Sequence, residues 1–329
     1  MNSKSFTGVQ FWSHSIITEM QKIPDLELRL IKPSVLFSSG YLGHFWEQFI
    51  LPALVPSNEI LLSPANWGPI TKKKHVIVIH DVIPYTQTYS FQTSYILASR
   101  LLLKRQINRA SLILTVSDYS KNQIKKITKK SLLKEIVVVG AASRFTCIPP
   151  QKIENSTKYL LFLNSDNPRK NFLFIADMWE EIYKKTGYQL IFTTGRNKNQ
   201  KNVTSVFSPE WLIEFPNPSD EELATLYSNS TALLFPSLEE GFGLPLLEIM
   251  NFGKPFIASE TGVAAELRVG RSKILPLEYD EWKNAIIELC ESEIKDENLQ
   301  LERSAMWNWS NVTCKILRAI DSHGEFKAY

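Results

Sequence analysis

Two glutamates stand seven residues apart in the run Phe235-Pro236-Ser237-Leu238-Glu239-Glu240-Gly241-Phe242-Gly243-Leu244-Pro245-Leu246-Leu247-Glu248. The apolar residues Thr231 to Phe235 enter this turn like a buried strand, and Leu244 to Phe252 leave it with helical spacing. Glycines at 241 and 243 allow close approach of a ligand to the backbone. Pro245 suits the first turn of a helix, whose unpaired N–H groups favour an anion such as phosphate. Glu240 is then expected in the loop and Glu248 about one turn into the helix. Two acceptors beside an anion site suit a ligand that carries both hydroxyls and phosphates, as a nucleotide-sugar does.

Two further groups of residues bear on the same chemistry. In Asn164-Ser165-Asp166-Asn167-Pro168-Arg169-Lys170-Asn171, two cations lie between a strand and a helix, where they form a clamp for a diphosphate. In Val76-Ile77-Val78-Ile79-His80-Asp81, a buried strand ends in His80, and ligands of open α/β sheets bind at the carboxyl ends of strands. Gly40 to Gln48 gathers polar and aromatic groups that serve an acceptor site or the core equally well. Ser117 reads as the cap of the helix Asp118–Ile127.

These residues need elements to hold them. Short apolar runs at Ser34–Phe37, Glu59–Leu62, His75–His80, Ser111–Val116 and Glu135–Val139 read as strands in the first half. Tyr159–Asn164, Gln189–Thr194, Thr231–Phe235, Pro255–Ala258 and Lys273–Leu277 do so in the second. They are rich in Val, Ile and Leu, as parallel strands covered on both faces must be. Helices alternate with them, among them Asn171–Thr186 and Ser219–Ser228, the latter opened by a capping box of Ser219 and Glu222. This alternation predicts an α/β chain of doubly wound sheets. A polar, proline-bearing connector from Ile148 to Thr157 divides it into domains over 1–152 and 153–310.

The 329 residues suffice for two domains, and no run reaches the length of a membrane span. Residues 1–150 hold 18 Lys and Arg against 8 Asp and Glu, a net +10, whereas residues 151–329 hold 19 against 26, a net −7. The basic half, with Lys72-Lys73-Lys74 and the Lys121 to Lys134 region, suits either solvated helix faces or contact with anionic lipid headgroups. The basic stretches lack the interleaved aromatics of a nucleic-acid surface. Cys147, Cys290 and Cys314 show neither metal spacing nor a disulfide framework, which fits a reducing cytoplasm.

The glutamate pair, set in its Gly-Phe-Gly-Leu-Pro turn and followed by Gly253-Lys254-Pro255 and Ala265-Glu266, resembles the E-x7-E signature of glycosyltransferase family 4, retaining enzymes of the GT-B class. The resemblance implies two Rossmann-like domains with parallel sheets facing across a cleft, and a terminal segment, 311–329, that crosses back to the first domain. It implies that Lys170, with Arg169, binds a donor diphosphate, and that His80 and Glu240 hold the hydroxyls of the transferred sugar. Glu248 would accept from the ribose hydroxyls, and the backbone at Phe242, Gly243 and Leu244 would hold the leaving group. Gly195 would lie near the base and Gly8 near phosphate and acceptor. Relatives open with an apolar strand; here Thr7-Gly8-Val9 looks like the loop that follows it, with a helix from about Gln10, so the first strand is expected to be short or missing.

The implied activity is transfer of a hexose, mannose or a related sugar, from a nucleoside diphosphate donor such as GDP-mannose. The acceptor would be a hydroxyl of a lipid-linked saccharide in surface polysaccharide or O-antigen (lipopolysaccharide) assembly. The implied protein is cytoplasmic and peripheral at the inner face of the membrane. No obligatory metal or other cofactor is expected. A nucleotide-sugar epimerase of the same fold and a non-catalytic nucleotide-sugar-binding scaffold are the alternatives.

Overall fold

The structure, a computed structural model, describes residues 7–37, 40–86, 93–128, 135–145, 157–164, 166–194, 209–292 and 297–323. The connector expected from Ile148 to Thr157 lies, but for Thr157, outside them, as do Gly195 and Cys147. The chain divides into two units, one of residues 1–142 and 308–329, the other of residues 143–307. Division thus falls after Ala142 rather than after residue 152, and the return to the first unit begins at Asn308 rather than 311. Side chains decide both points. Ala141 and Ala142 are buried in the first unit, whereas Arg144 and Phe145 engage Glu248 and Tyr227 of the second. Trp307 packs on Phe242, while Asn308 caps the terminal helix.

The first unit carries a parallel sheet of four strands in sequence order among the described residues: β1 (Leu61–Ser63), β2 (His75–Ile79), β3 (Leu112–Thr115) and β4 (Ile136–Val138). β2 and β3 are buried throughout, as their unbroken Val/Ile/Leu runs require. The helix Gly8–Met20 is closed by a capping box of Thr7 and Gln10, so Gly8 is its first residue rather than part of a loop. Its buried stripe, Trp12, Ile16 and Met20, follows four-residue spacing. The terminal helix Trp309–Ser322 packs on it, with Trp309 edge-on to Phe11. The expected strand at Ser34–Phe37 is instead a turn of 3-10 helix, Val35–Phe37. Only Phe37 finds a core, against Trp46, Leu51 and Val55, while Val35 and Leu36 face solvent. Three apolar residues in a row suit a strand or a single turn equally, and among the described residues no neighbouring strand pairs with these.

The second unit holds six parallel strands in the order β10-β9-β8-β5-β6-β7. These are β5 (Tyr159–Phe162), β6 (Gln189–Thr194), β7 (Leu212–Pro216), β8 (Leu233–Phe235), β9 (Phe256–Ser259) and β10 (Lys273–Leu275). From β5 the chain builds outward to β7, then returns to the other side of β5 and builds outward to β10. β5 and β8 therefore flank the switch point, where ligands of such sheets bind at the carboxyl ends. Beneath lies a core of Leu160, Phe162, Ile175, Trp179, Phe192 and Trp282. Sequence reading missed β7, an edge strand whose residues are only partly buried and which ends in Pro216.

Candidate active site

The two loops at the switch point of the second unit contain Arg169, Lys170, Glu240, Phe242 and Gly243 among the sequence-predicted residues. After β5, Asn164 and Asn171 take left-handed backbone conformations, which asparagine tolerates, and bracket a single 3-10 turn, Pro168–Lys170. The Asn167 side chain accepts from the Arg169 N–H at 3.1 Å and opens that turn. After β8, the chain runs through Ser237 to Gly243, where φ is +94° and a short helix, Leu244–Met250, begins. A Cβ on Gly243 would meet the Phe235 ring at an ordinary contact distance of 3.4 Å, so the positive φ is what calls for glycine. Gly262 supports the loop from behind, since a Cβ there would sit 2.4 Å from the Phe242 carbonyl oxygen.

The loops are tied directly to each other. The Leu238 N–H donates to the Arg169 carbonyl at 2.9 Å, and Lys170 Nζ donates to Glu240 Oε1 at 2.7 Å. Arg169 Nη1 donates to the Glu239 carbonyl at 2.9 Å and lies 3.4 Å from Glu240 Oε2. Lys170 Nζ also sits 4.4 Å from the centre of the Phe235 ring. Burial alone would raise the Glu240 pKa, but the charges of Lys170 and Arg169 and the hydrogen bond from Lys170 outweigh it and hold the carboxyl below its usual value. Both partners are nearly closed to solvent, at 7% exposure for Lys170 and 8% for Glu240.

Glu248 turns the opposite way. It is 1% exposed, and both of its oxygens are taken within the unit. Arg144 Nε donates to Oε1 at 2.9 Å, and the Tyr227 hydroxyl donates to Oε2 at 2.8 Å. Arg144 Nη1 reaches Asp220 Oδ1 at 3.0 Å. Tyr227 is stacked on Phe252, and burial followed by the Glu248 charge pushes its pKa well up. The Glu248 charge, chiefly, raises that of Arg144 against the opposing effect of burial. Arg144 was invisible to sequence reading. It follows Val139-Gly140-Ala141-Ala142-Ser143, which carries no motif, and its partners are 76 and 104 residues away. Phe242 is buried against Trp307, and its carbonyl accepts from the Val263 N–H at 2.8 Å.

In the first unit, His80 follows β2 and is also committed internally. Its backbone N–H donates to Asn66 Oδ1 at 2.6 Å. Its ring lies edge-on to Trp12, 5.0 Å between centres. Its Nε2 lies 2.8 Å from the Pro64 carbonyl oxygen, which can only accept, so that nitrogen carries the proton. Burial, opposed in part by that hydrogen bond, lowers its pKa to about 4 and keeps the ring neutral. Asp81 Oδ1 accepts from the Ile83 N–H at 3.1 Å in a local turn. Gly8 is exposed at the start of its helix. Ser117 caps Asp118–Ile127 through the Ser120 N–H at 3.0 Å. Among the described residues, no three His, Cys, Asp or Glu side chains converge as a metal site would need, and no helix is long and apolar enough to cross a membrane.

Comparison with known proteins bears on the family and the fold. Residues 157–292 match the family of glycosyl transferases group 1. An O-antigen chain mannosyltransferase of Salmonella typhimurium, RfbU, is 30% identical over 223 residues, covering 65% of this chain and 60% of that protein. The chain thus spans less than two thirds of the length of this relative. O-antigen chain mannosyltransferase B of Escherichia coli is 24% identical over 279 residues, covering 78% of this chain and 72% of its own. Among solved structures, Anabaena Alr3699/HepE in complex with UDP-glucose superposes with a TM-score of 0.60 at 17% identity, covering 75% of this chain and 72% of that one. The fold is that of the GT-B glycosyltransferases.

Proposed function

Residues 157–292 being a glycosyl transferases group 1 domain, we propose that the protein is a retaining hexosyltransferase. It would transfer mannose or a related sugar from a nucleoside diphosphate donor, GDP-mannose first, to a hydroxyl of a lipid-linked saccharide in O-antigen assembly. The observation that carries this reading is the pairing of Lys170 and Glu240 across the two loops at the switch point of the nucleotide-side sheet. In the reaction the bond between the anomeric carbon and the diphosphate oxygen breaks, and one to the acceptor oxygen forms on the same face. The acceptor hydroxyl passes its proton to the departing diphosphate oxygen. Charge develops on the departing diphosphate and on the sugar ring. Lys170 and Arg169 would stabilise the first as preorganised cations, and Glu240 would fix the sugar hydroxyls. His80 is assigned to the sugar as well, which requires its Nε2 proton to leave the Pro64 carbonyl, and Gly8 and Gly195 are assigned to the phosphate and base sides. The relatives' names support the mannosyl donor and the O-antigen acceptor.

Thermal shift with a panel of GDP- and UDP-sugars tests the donor. A bound donor at one hundred times its Kd stabilises by about 2.7 kcal/mol. The absence of any shift across the panel would refute the reading. Mass and NMR analysis of the product then separates transfer to an acceptor from epimerisation or simple binding.

Contact with an anionic membrane is part of the proposal. Gly40–Phe45, Trp46–Ile50 and Leu51–Leu54 form one continuous helical segment, whose middle turn is of the π type. Trp46 and Leu51 are buried, while Leu42, Phe45 and Phe49 are exposed at helical spacing, the two phenylalanine rings 5.1 Å apart. Exposed Val35 and Leu36 lie three and four residues beyond exposed Lys32, and Arg29 and Lys72 bind carbonyls at the C-terminal end of the same segment. An apolar stripe flanked by cations suits the interface of an anionic bilayer. Co-sedimentation with phosphatidylglycerol vesicles should fall sharply in Phe45→Ser/Phe49→Ser. Equal binding by wild type and variant refutes this surface.

A further inference from the structure

In the first unit His44 stands between Glu47 and Trp67. His44 and Glu47 lie one turn apart in the helical segment 40–54, with His44 Nδ1 3.7 Å from Glu47 Oε2. Glu47 belongs to the π-type turn Trp46–Ile50, a distortion that recurs at functional positions of helices. The His44 ring stands edge-on to Trp67, 5.9 Å between centres. Trp67 is half-buried in the loop after β1, and that loop is fixed on both sides of it. Before it, the Pro64 carbonyl and the Asn66 side chain hold His80, and the Asn66 N–H donates to the Val78 carbonyl at 2.9 Å. After it, the Gly68 carbonyl accepts from Gln48 Nε2 at 2.9 Å and from Gln106 Nε2 at 2.7 Å, while Gln48 Oε1 accepts from the Ile70 N–H at 3.1 Å. A Cβ on Gly68 would lie 2.6 Å from the His75 ring and from Ser63 Oγ, so this close approach needs glycine. β1 and β2 are parallel, so Trp67 and His80 both follow strand ends at one edge of the sheet, the edge where ligands of such sheets bind.

The Gln48 amide, bonded twice, docks the segment on this loop. Glu47 has no share in that. Among the described residues no hydrogen bond and no Lys or Arg reaches its carboxylate, yet the side chain is only 20% exposed. Burial raises its pKa to about 7, as expected of a carboxyl kept from water without a cation. Such a group costs stability, and a glutamine of the same size would avoid that cost. A guanidinium or an ammonium would suit a phosphate. A carboxyl beside an imidazole and a half-buried indole suits uncharged hydroxyls and the apolar face of a pyranose ring.

We propose that His44, Glu47 and Trp67 form a subsite for the terminal saccharide of the acceptor, with Glu47 and His44 binding its hydroxyls and the Trp67 ring its apolar face. The inference rests on the reading of the protein as a transferase to a lipid-linked saccharide and names the residues that select that acceptor. The lipid end of the same molecule meets exposed Phe45 and Phe49, which alternate with His44 and Glu47 along the segment. An amphipathic acceptor needs polar and apolar holds side by side, and residues 44–49 supply both within about one and a half turns of helix.

NMR titration of the full chain above neutral pH tests it. Methyl and octyl glycosides of mannose, rhamnose, galactose and N-acetylglucosamine are the probes, with GDP and UDP beside them. The wild type should bind at least one methyl glycoside and hold its octyl form more tightly. Glu47→Gln should weaken both forms about tenfold, on the order of one lost charge-assisted hydrogen bond, and leave the nucleoside diphosphate unchanged. Its Tm should be no lower than that of the wild type, because an amide replaces a carboxyl that burial disfavours; a merely structural role predicts a fall. His44→Ala, at an exposed position, should weaken both forms as well. Phe45→Ser/Phe49→Ser should abolish the octyl advantage and leave the methyl forms unchanged. In turnover, Glu47→Gln should raise the acceptor KM while the donor KM holds. Equal glycoside binding by wild type and Glu47→Gln overturns the proposal, and so does a loss that extends to the nucleoside diphosphate or comes with a lower Tm. If the wild type binds a nucleoside diphosphate and no glycoside, the proposal alone fails; if it binds no nucleoside diphosphate, the transferase reading falls and takes the proposal with it.

Discussion

Replacing Lys170 by methionine removes a charge from beside a carboxylate that solvent cannot reach. Methionine keeps most of the apolar stem, so the loss is electrostatic. At 2.7 Å and an effective dielectric near 20, the attraction to Glu240 is about 6 kcal/mol before desolvation is counted. Arg169 remains at 3.4 Å, so Glu240 keeps one cation. The net cost then falls at the lower end of the range for a broken buried pair, about 3 kcal/mol. For a unit of this size that is a drop in Tm of roughly 6–12 °C at neutral pH, read by calorimetry. The pH dependence carries its own sign. In the wild type the folded Glu240 pKa is held below its unfolded value, so its contribution is present above the unfolded value of 4.5 and is lost as pH falls through the folded one. Without Lys170, burial, the larger single influence, pushes the carboxyl up, and the variant should lose stability as pH rises. Lys170→Met/Glu240→Gln should recover most of the lost Tm. A shift below about 2 °C that does not vary with pH, or a double variant no better than the single one, refutes the assignment of this pair as a buried, mutually dependent unit.

Other expectations follow from the same geometry. Tyr227→Phe removes a donor to the sealed Glu248 and should cost about 1.5–3 kcal/mol, visible as a lower Tm; a silent change would mean the hydroxyl bond is not formed. His75 and His80, both buried with pKa values lowered to about 4 chiefly by desolvation, stabilise the first unit above pH 6.5. That contribution, up to about 3 kcal/mol for each, is lost as pH falls from 6.5 towards 4. Hydrogen exchange of β2 and β3 should therefore accelerate across this window, and protection that stays flat over it would contradict the burial. Gly262→Ala places a Cβ against the Phe242 carbonyl at a positive φ and should cost at least about 2 kcal/mol; donor affinity should fall with it, because the displaced loop carries Glu240.

Much of the fold was legible because buried parallel strands are nearly unambiguous. Runs such as Val76-Ile77-Val78-Ile79 and Leu112-Ile113-Leu114 have no polar residue to turn outward, and β6 was read to its last residue. What failed were elements whose environment is not written locally. β7 alternates weakly because it lies at an edge, and Val35-Leu36-Phe37 forms a turn, with no strand beside it among the described residues. The cations and carboxylates of the candidate site were legible from their loops, since Gly243 and Pro245 fix where a helix can start. Their pairing was not. Nothing near Glu248 announces Arg144, and nothing near Glu240 announces that Lys170 will be held by it before any ligand arrives. Long-range pairing of charges depends on the order of strands in the sheet, which the spacing of residues along the chain does not encode.

That order explains why two glutamates seven residues apart recur in one motif. The turn through Gly241-Phe242-Gly243 sends the first back towards the loop after β5 and leaves the second a helical turn on, facing the other side. Each meets a cation brought from far away, Lys170 at 70 residues and Arg144 at 104. The spacing therefore does more than place two acceptors; it holds two cations apart at defined positions on the rim. If that is the function of the spacing, the two carboxylates are not interchangeable in their effects. Glu240→Gln releases Lys170 and, on the proposed assignment of sugar and leaving group to this pair, should alter catalysis, with kcat falling more than donor affinity. Glu248→Gln releases Arg144 and should alter donor affinity, with KM rising while kcat holds. Steady-state kinetics of the two variants on one donor decides the matter. Equal changes in kcat and KM for both would mean that the pair acts as a single binding element, and the division of labour argued from their opposite partners would be wrong.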